Sequence, residues 1–208
     1  MKANNGKRKK KNMTLREWAV KESPPAYLVI LLNAKMNSYD EDDEYIARLF
    51  CNHWQKVKAF IERMNAEKGK QSLDYFVIEH PDEEVSEALS MGFCNILNNI
   101  DTNLFNARRY KEMVDFCKDM LELFDNDEEE ASEWIGRMGD GIWEQDPVAG
   151  EKHFRDHLTQ RNDILMGYYS FQLLNAKRWD DAAEALKGYE DSGDDLIQER
   201  FEWLNERE

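Results

Sequence analysis

The sequence predicts an all-α protein, and composition and residue spacing both support this class. The 208 residues are 41% apolar and 34% charged but contain only four prolines and ten glycines, so residues that favour helices outnumber those that favour turns. From Asp82 onward, apolar residues recur at helical spacing in successive segments joined by short polar connections. A chain of this length and apolar content can bury a substantial core.

The first elements follow from local signals. Residues 1–14 are predicted to be a disordered basic tail, since Lys and Arg dominate them and no acidic residue occurs there. Thr14 and Glu17 match the Ser/Thr-x-x-Glu capping box, which predicts a short helix. Pro24 and Pro25 end that helix and begin the next, "AYLVILLNAKM", which is apolar on nearly all sides and is therefore predicted to be buried.

A long helix is predicted from the acidic run at 40–44 to about Glu67, because acids in a first turn oppose the positive end of the helix dipole. Its apolar stripe runs over more than four turns: Ile46, Leu49, Phe50, His53, Trp54, Val57, Phe60, Ile61 and Met64. "LDYFVIEHP" at 73–81 fits either a short helix or a strand, and we favour the helix. Residues 15–81 are thus predicted to form an N-terminal helical region.

The remainder of the chain, residues 82–208, is predicted to consist of helices of similar length. Because their connections are short, each helix should run antiparallel to its neighbours. The predicted ranges are 82–105, 109–124, 129–144, 147–160, 163–176, 179–190 and 194–206.

One phrase occurs twice in this region. "NARRYKEMVDFC" begins at residue 106 and "NAKRWDDAAEAL" at residue 175, 69 residues later, which is close to two units of about 34. In each copy an aromatic residue is followed by a smaller one and then by apolar residues at helical spacing. The two sets are Tyr110, Met113, Cys117 and Met120, and Trp179, Ala182, Leu186 and Tyr189. Trp179 is predicted to be a buried anchor.

These phrases resemble the second helix of the tetratricopeptide repeat, over about residues 85–208. The resemblance implies antiparallel helix-turn-helix repeats stacked in a short right-handed solenoid, with an N-terminal helical extension and a C-terminal capping helix, because one hairpin cannot bury its own apolar face. The family's helix-A glycine falls on Asp101 and Ser170, and its closing proline is absent. In the middle unit, three glycines indicate either close helix approach or a kink: Gly136, Gly139 and Gly141.

The resemblance also implies a concave groove lined by the first helices of the repeats. A row of amides there can pair with the backbone of an extended peptide. The residues predicted to line the groove are Asn95, Asn98, Thr102 and Asn106 at its polar end and Phe171 and Leu174 at its apolar end. The function predicted is therefore that of a non-catalytic interaction module for a protein or peptide partner, whose identity the sequence does not specify. The basic residues with which some family members bind a peptide carboxylate are not seen.

Two other functions stay open. His153 and His157, one helical turn apart, suggest a small metal-dependent enzyme, but no third histidine or cysteine is close, and a packing role is favoured. The acidic runs at 40–44 and 125–130 lack the glycine and glutamate of a calcium-binding loop and are interpreted as helix starts. No catalytic residue, metal site or cofactor is predicted.

The charge distribution bears on the third function, a nucleic-acid-associated factor. The net charge is −15, and since residues 1–12 carry +6, the rest carries −21. A body of that sign repels phosphate, so only the basic tail would bind nucleic acid. The three cysteines lack paired or metal-type spacing, and no apolar run is long enough to cross a bilayer. A cytoplasmic protein without a membrane partner is predicted.

Overall fold

The computed structural model describes residues 13–36 and 42–206, except for the side chains of 34–36. Over these ranges the secondary structure is helical, without a β-strand, so the predicted all-α class is confirmed. The tail predicted to be disordered lies outside the described residues apart from Met13 and Thr14.

Ten α-helices follow one another in the described residues. They are α1 (Leu15–Glu22), α2 (Pro24–Met36), α3 (Asp43–Lys68), α4 (Glu83–Asn106), α5 (Tyr110–Leu123), α6 (Glu128–Gln145), α7 (Pro147–His157), α8 (Asp163–Asn175), α9 (Trp179–Ala185) and α10 (Asp195–Asn205). Most ends agree with the sequence prediction. Helix α9 stops before the predicted end at 190, because Gly188 lies in the left-handed region with a φ of +87° and interrupts a right-handed helix.

The acidic runs do begin helices. The Asp42 carboxylate accepts a hydrogen bond from the N–H of Tyr45 in the first turn of α3. Asp127 caps α6 and forms a capping box with Glu130. Both arrangements satisfy N–H groups that have no partner within the helix, so these carboxylates stabilise the helices that they precede.

Residues 73–81 are not the helix that we favoured. A three-residue 3-10 turn opens the segment, and an extended chain follows it. The N–H of Ile78 donates to Oγ of Ser90 (2.9 Å), and Oγ of Ser86 donates to the carbonyl of Ile78 (2.7 Å). Because side chains of α4 satisfy both backbone groups of the buried Ile78, these groups need neither a helix nor a partner strand.

The duplicated phrase forms the same turn in both places. Arg108 and Lys177 each adopt a left-handed conformation, with φ of 56° and 59°. The residue after each is the N-cap of the following helix, and its φ and ψ are −90° and 52° for Arg109 and −91° and 61° for Arg178. Each N-cap N–H donates to the carbonyl five residues earlier, a bond that closes the end of the preceding helix.

Side-chain contacts of the two turns correspond as well. Arg109 pairs with Glu112, one turn ahead, and with Glu44 of α3. Arg178 pairs in the same way with Asp181 and with a glutamate of α7. The two copies of the phrase therefore share one local structure, while the assignment of the whole region to tetratricopeptide-like repeats stays a prediction.

The interior consists of two apolar clusters. The first extends from Ala19 to Met138 and includes residues of α1 to α6, so the interior is continuous across residue 81. The second extends from Trp143 to Ile197 and joins α6 to α10. Helix α6 contributes to both clusters and packs on α5, α7 and α8.

The glycines of α6 mark close helix approach, the first of the two interpretations left open. The helix continues through them without interruption. A Cβ at Gly136 would lie 2.3 Å from the ring of Tyr168, at Gly139 2.4 Å from the ring of Phe154, and at Gly141 2.9 Å from Cγ2 of Val114. No side chain larger than hydrogen fits at these positions without moving a neighbouring residue.

Candidate peptide-binding groove

A surface groove of about 760 Å³ lies between one face of α4 and residues 74–77, which end the 3-10 turn and begin the extended chain. We call it the α4 groove. Two of the asparagines predicted to bind a peptide, Asn95 and Asn98, line it. The other residues that line it are Asp74, Tyr75, Phe76, Val77, Glu83, Ser86, Glu87, Ser90, Met91 and Cys94.

The amphipathic pattern of α4 positions the helix side of the groove. Leu89, Phe93, Ile96 and Ile100 are buried and hold the helix on the first core cluster. Residues at the intervening positions therefore face outward, and the groove residues of α4 are among them.

The other side of the groove is held by alternation along the extended segment. Phe76 and Ile78 are buried, and the Phe76 ring lies 5.2 Å from the ring of Phe93. Tyr75, at the end of the 3-10 turn, and Val77, which alternates with the two buried residues along the extended chain, point away from the core. They are 77% and 51% exposed.

The groove thus carries three exposed apolar side chains, because Met91 of α4, 66% exposed, lies in the same groove as Tyr75 and Val77. Among the described residues, the remaining large apolar side chains with comparable exposure do not line this groove. Apolar side chains that share one groove offer a partner more continuous surface to cover than apolar residues that are scattered singly.

The backbone of Val77 adds two polar groups. Among the described residues, no hydrogen bond involves its N–H or its carbonyl, whereas both groups of the neighbouring Ile78 are bonded to α4. An extended peptide that lies along this segment can pair with Val77 as a neighbouring strand would.

Polar side chains of the groove form a short chain of weak hydrogen bonds. Asn98 Nδ2 donates to Cys94 Sγ (3.5 Å), and Cys94 Sγ donates to Asp74 Oδ1 (3.4 Å). Burial, and then the Asp74 carboxylate, raise the pKa of Cys94 to about 11, so the thiol stays protonated at neutral pH. These two hydrogen bonds join α4 to the 3-10 turn across the groove.

The other predicted groove residues lie elsewhere. Thr102 and Asn106 are exposed on α4 but do not line the groove. Leu174 is 2% exposed and belongs to the second core cluster. Phe171 is half-buried beneath α10, whose Arg200 guanidinium lies 4.8 Å from the centre of its ring. The predicted apolar end of the groove is therefore wrong, because α10 packs over that face of α8.

A half-buried polar cluster that the sequence analysis missed fixes α4 to α6. Arg137 Nη1 lies 3.0 Å from the carbonyl of Asn98 and 3.3 Å from Asp101 Oδ1, and its Nη2 lies 2.8 Å from Glu133 Oε2. The guanidinium also lies 4.7 Å from the ring centre of Trp134. Because one of these bonds reaches the backbone of a groove residue, the cluster holds that part of α4 in place. The sequence signal that could have revealed this cluster is Arg137, a charged residue among the glycines on the packed face of α6.

Asp140 of α6 lies in the same region. Its carboxylate accepts a hydrogen bond from Gln172 Nε2 of α8 (2.7 Å). Burial raises the pKa of Asp140 from 3.8 to about 7; the Asp101 and Glu144 carboxylates act in the same direction, and the bond from Gln172 and the charge of Arg137 oppose it.

This pKa predicts a pH-dependent stability. The folded state holds the Asp140 proton more tightly than the unfolded state does. The stabilisation of the folded state by this proton is therefore fully present below about pH 4 and is lost as the pH rises to about 7. Asp140→Asn cannot ionise and keeps an oxygen for Gln172. The free energy of unfolding of Asp140→Asn minus that of the natural protein should increase by on the order of 3 kcal/mol between pH 4 and pH 8, because only the natural protein loses this stabilisation. Urea unfolding at several pH values measures this, and a constant difference would contradict it.

The two histidines proposed as metal ligands are engaged with the backbone. Their ring centres lie 4.4 Å apart. His153 donates from Nε2 to the carbonyl of Ile135 (3.0 Å), and His157 donates from Nδ1 to the carbonyl of His153 (2.8 Å). Asp156 forms an ion pair with Lys152. Over residues 13–36 and 42–206, no group of three or more His, Cys, Asp or Glu side chains is placed to hold a metal ion.

No protein-family model, curated protein or solved structure matches the chain. The geometry of the α4 groove is therefore the main basis for a functional proposal. In the part of the chain that the structure describes, each helix is too short or too polar to cross a lipid bilayer.

Proposed function

We propose that the protein is a non-catalytic interaction module that binds an extended segment of a partner protein in the α4 groove. The observation that carries this proposal is the exposure of Tyr75, Val77 and Met91 within one groove. A partner that covers these side chains removes apolar surface from water, which is the main favourable contribution to most protein associations.

The groove is also suited to an extended backbone. Asn95 and Asn98 supply donors and acceptors along α4, and Val77 supplies an N–H and a carbonyl on the opposite side. The walls are held by buried anchors, Phe76 and Ile78, so little ordering entropy would be lost when a partner binds. Main-chain pairing with pockets for alternate side chains is a known mode of peptide recognition.

We further propose that α4 to α10 form tetratricopeptide-like repeats and that the protein is cytoplasmic. The shared geometry of the turns at Arg108 and Lys177 supports the first proposal. The three free cysteines support the second, since disulfides are rare in the reducing cytosol.

A peptide array tests the function. Full-length protein is applied to synthetic peptides of varied sequence, and the affinity of each bound peptide is then measured in solution. Met91→Glu should weaken binding by at least tenfold, because the charged side chain would be desolvated in the contact. Val148→Glu is the matched control, since Val148 is an apolar residue of α7 that is 79% exposed and lies outside the groove.

Circular dichroism of both variants should match that of the natural protein, since both positions are exposed. Equal affinities for the Met91→Glu and Val148→Glu variants would contradict the α4 groove as the binding site. Failure of every peptide to bind would contradict the proposed function.

A further inference from the structure

The charged side chains of the α4 groove all have one sign. Asp74, Glu83 and Glu87 line it, and none of the described residues that line it is Lys, Arg or His. No ion pair between described residues involves any of these three carboxylates. Within residues 13–36 and 42–206, the Asp74 carboxylate accepts a hydrogen bond only from the neutral Cys94 thiol.

Elsewhere on the surface, carboxylates often form ion pairs with a basic side chain of the same protein. Glu44 pairs with Arg109, and Glu151 pairs with Arg178, although the chain as a whole has an excess of acids. In the described part of the chain the groove carboxylates lack such partners, so their negative potential extends into the groove and can attract a bound cation.

The spacing of the apolar residues restricts the shape of what binds. Tyr75 ends the 3-10 turn and Val77 lies two positions further along, in the extended chain, and both side chains line the α4 groove. A second extended chain beside this segment presents every second side chain to them and leaves the alternate side chains free for other contacts. Glu83 and Glu87, near the start of α4, line the same groove and are available to those alternate side chains.

From this arrangement we infer that the partner segment is an extended, basic peptide in which apolar residues alternate with Lys or Arg. This inference rests on the proposed function and specifies its partner. The charge of −21 outside residues 1–12 adds long-range attraction for such a peptide and repels the acidic body of a second copy of the chain.

Three synthetic peptides test the inference. Each has nine residues, with two valines separated by one position, and they differ only at four flanking positions, which are all Lys, all Gln or all Glu. Fluorescence anisotropy with the full-length protein should rank their affinities Lys above Gln above Glu. The Lys peptide should bind about tenfold more tightly than the Gln peptide at low salt, and raising the salt concentration should reduce this difference.

A pair of matched variants assigns the preference to the groove. The first variant neutralises the three groove carboxylates by Asp74→Asn, Glu83→Gln and Glu87→Gln. Its preference for the Lys peptide over the Gln peptide should fall from about tenfold to less than about threefold. The second variant neutralises three exposed acids of α5, α9 and α10 by Asp115→Asn, Glu184→Gln and Glu202→Gln. It should keep the preference for the Lys peptide. Both variants change the net charge equally, so a loss in both would assign the preference to the whole molecule and overturn the inference.

The remaining outcomes separate the inference from the proposed function. Equal affinity for all three peptides, abolished by Met91→Glu, would retain the groove as a peptide site and overturn its basic preference. If none of the three peptides binds, the preference for basic peptides is overturned as well. The peptide array then decides the proposed function independently. If the Lys peptide binds only after deletion of residues 1–12, the chain's own basic segment occupies the groove. That result would overturn the inference that the groove binds a segment of another protein.

Discussion

Gly150→Ala should destabilise the protein by about 3 kcal/mol, the upper part of the range for overpacked cores. A Cβ at position 150 would lie 2.6 Å from Cα of Trp143 and 2.9 Å from its backbone nitrogen. A backbone cannot rotate aside as a side chain can, so α6 and α7 would have to separate and loosen the contact between Gly139 and Phe154. The better helix propensity of alanine, about 1 kcal/mol, offsets only part of this loss. Chemical denaturation measures the effect.

Gly193→Ala is the control for this substitution. A Cβ at Gly193 would meet no atom within 4 Å, so the free energy of unfolding should change by less than about 0.5 kcal/mol. If both substitutions have the same small effect, α6 and α7 do not approach as closely as the structure shows.

Phe116→Ala should cost about 3–5 kcal/mol, as expected for a fully buried aromatic residue. Phe116 of α5 is 1% exposed, and its ring meets three others edge to face. The ring centres lie 5.2 Å from Phe50, 5.1 Å from Trp54 and 5.8 Å from Trp134. These partners belong to α3 and α6, so the cavity left by the substitution would weaken the packing of three helices at once.

Tyr75→Ala provides the matched comparison, because it removes a large aromatic side chain that is 77% exposed. Its free energy of unfolding should stay within about 0.5 kcal/mol of that of the natural protein. It should nevertheless weaken peptide binding if Tyr75 contacts the partner. A loss of stability for Tyr75→Ala as large as that for Phe116→Ala would contradict the assignment of inner and outer positions along residues 73–81.

The sequence predicted helices well where their determinants are local. The capping box at Thr14 and Glu17, the break at Pro24, and the acidic start of α6 at Asp127 all act over three or four residues, and each lies where the pattern placed it. The duplicated phrase also indicated a common element, since its two copies form the same turn at Arg108 and Lys177.

Predictions that depended on distant packing were less successful. Trp179 was expected to be a buried anchor and is half-buried. Leu174 was expected in a groove and is buried in the core, because nothing near it in sequence indicates where α10 packs. Asn95 and Asn98 do line a groove, but its opposite wall is residues 74–77, which the pattern favoured as helix.

By itself, the sequence determined that this protein is helical and where most of its helices begin and end, since hydrogen bonds and caps between near neighbours set those features. Tertiary structure alone decided which faces of the helices are covered and which are open. The α4 groove exists because Phe76 and Ile78 are buried against the core and Ser86 and Ser90 satisfy the backbone at Ile78. That contact joins an extended segment to a helix face through the packing of the whole core, so no local pattern specifies it.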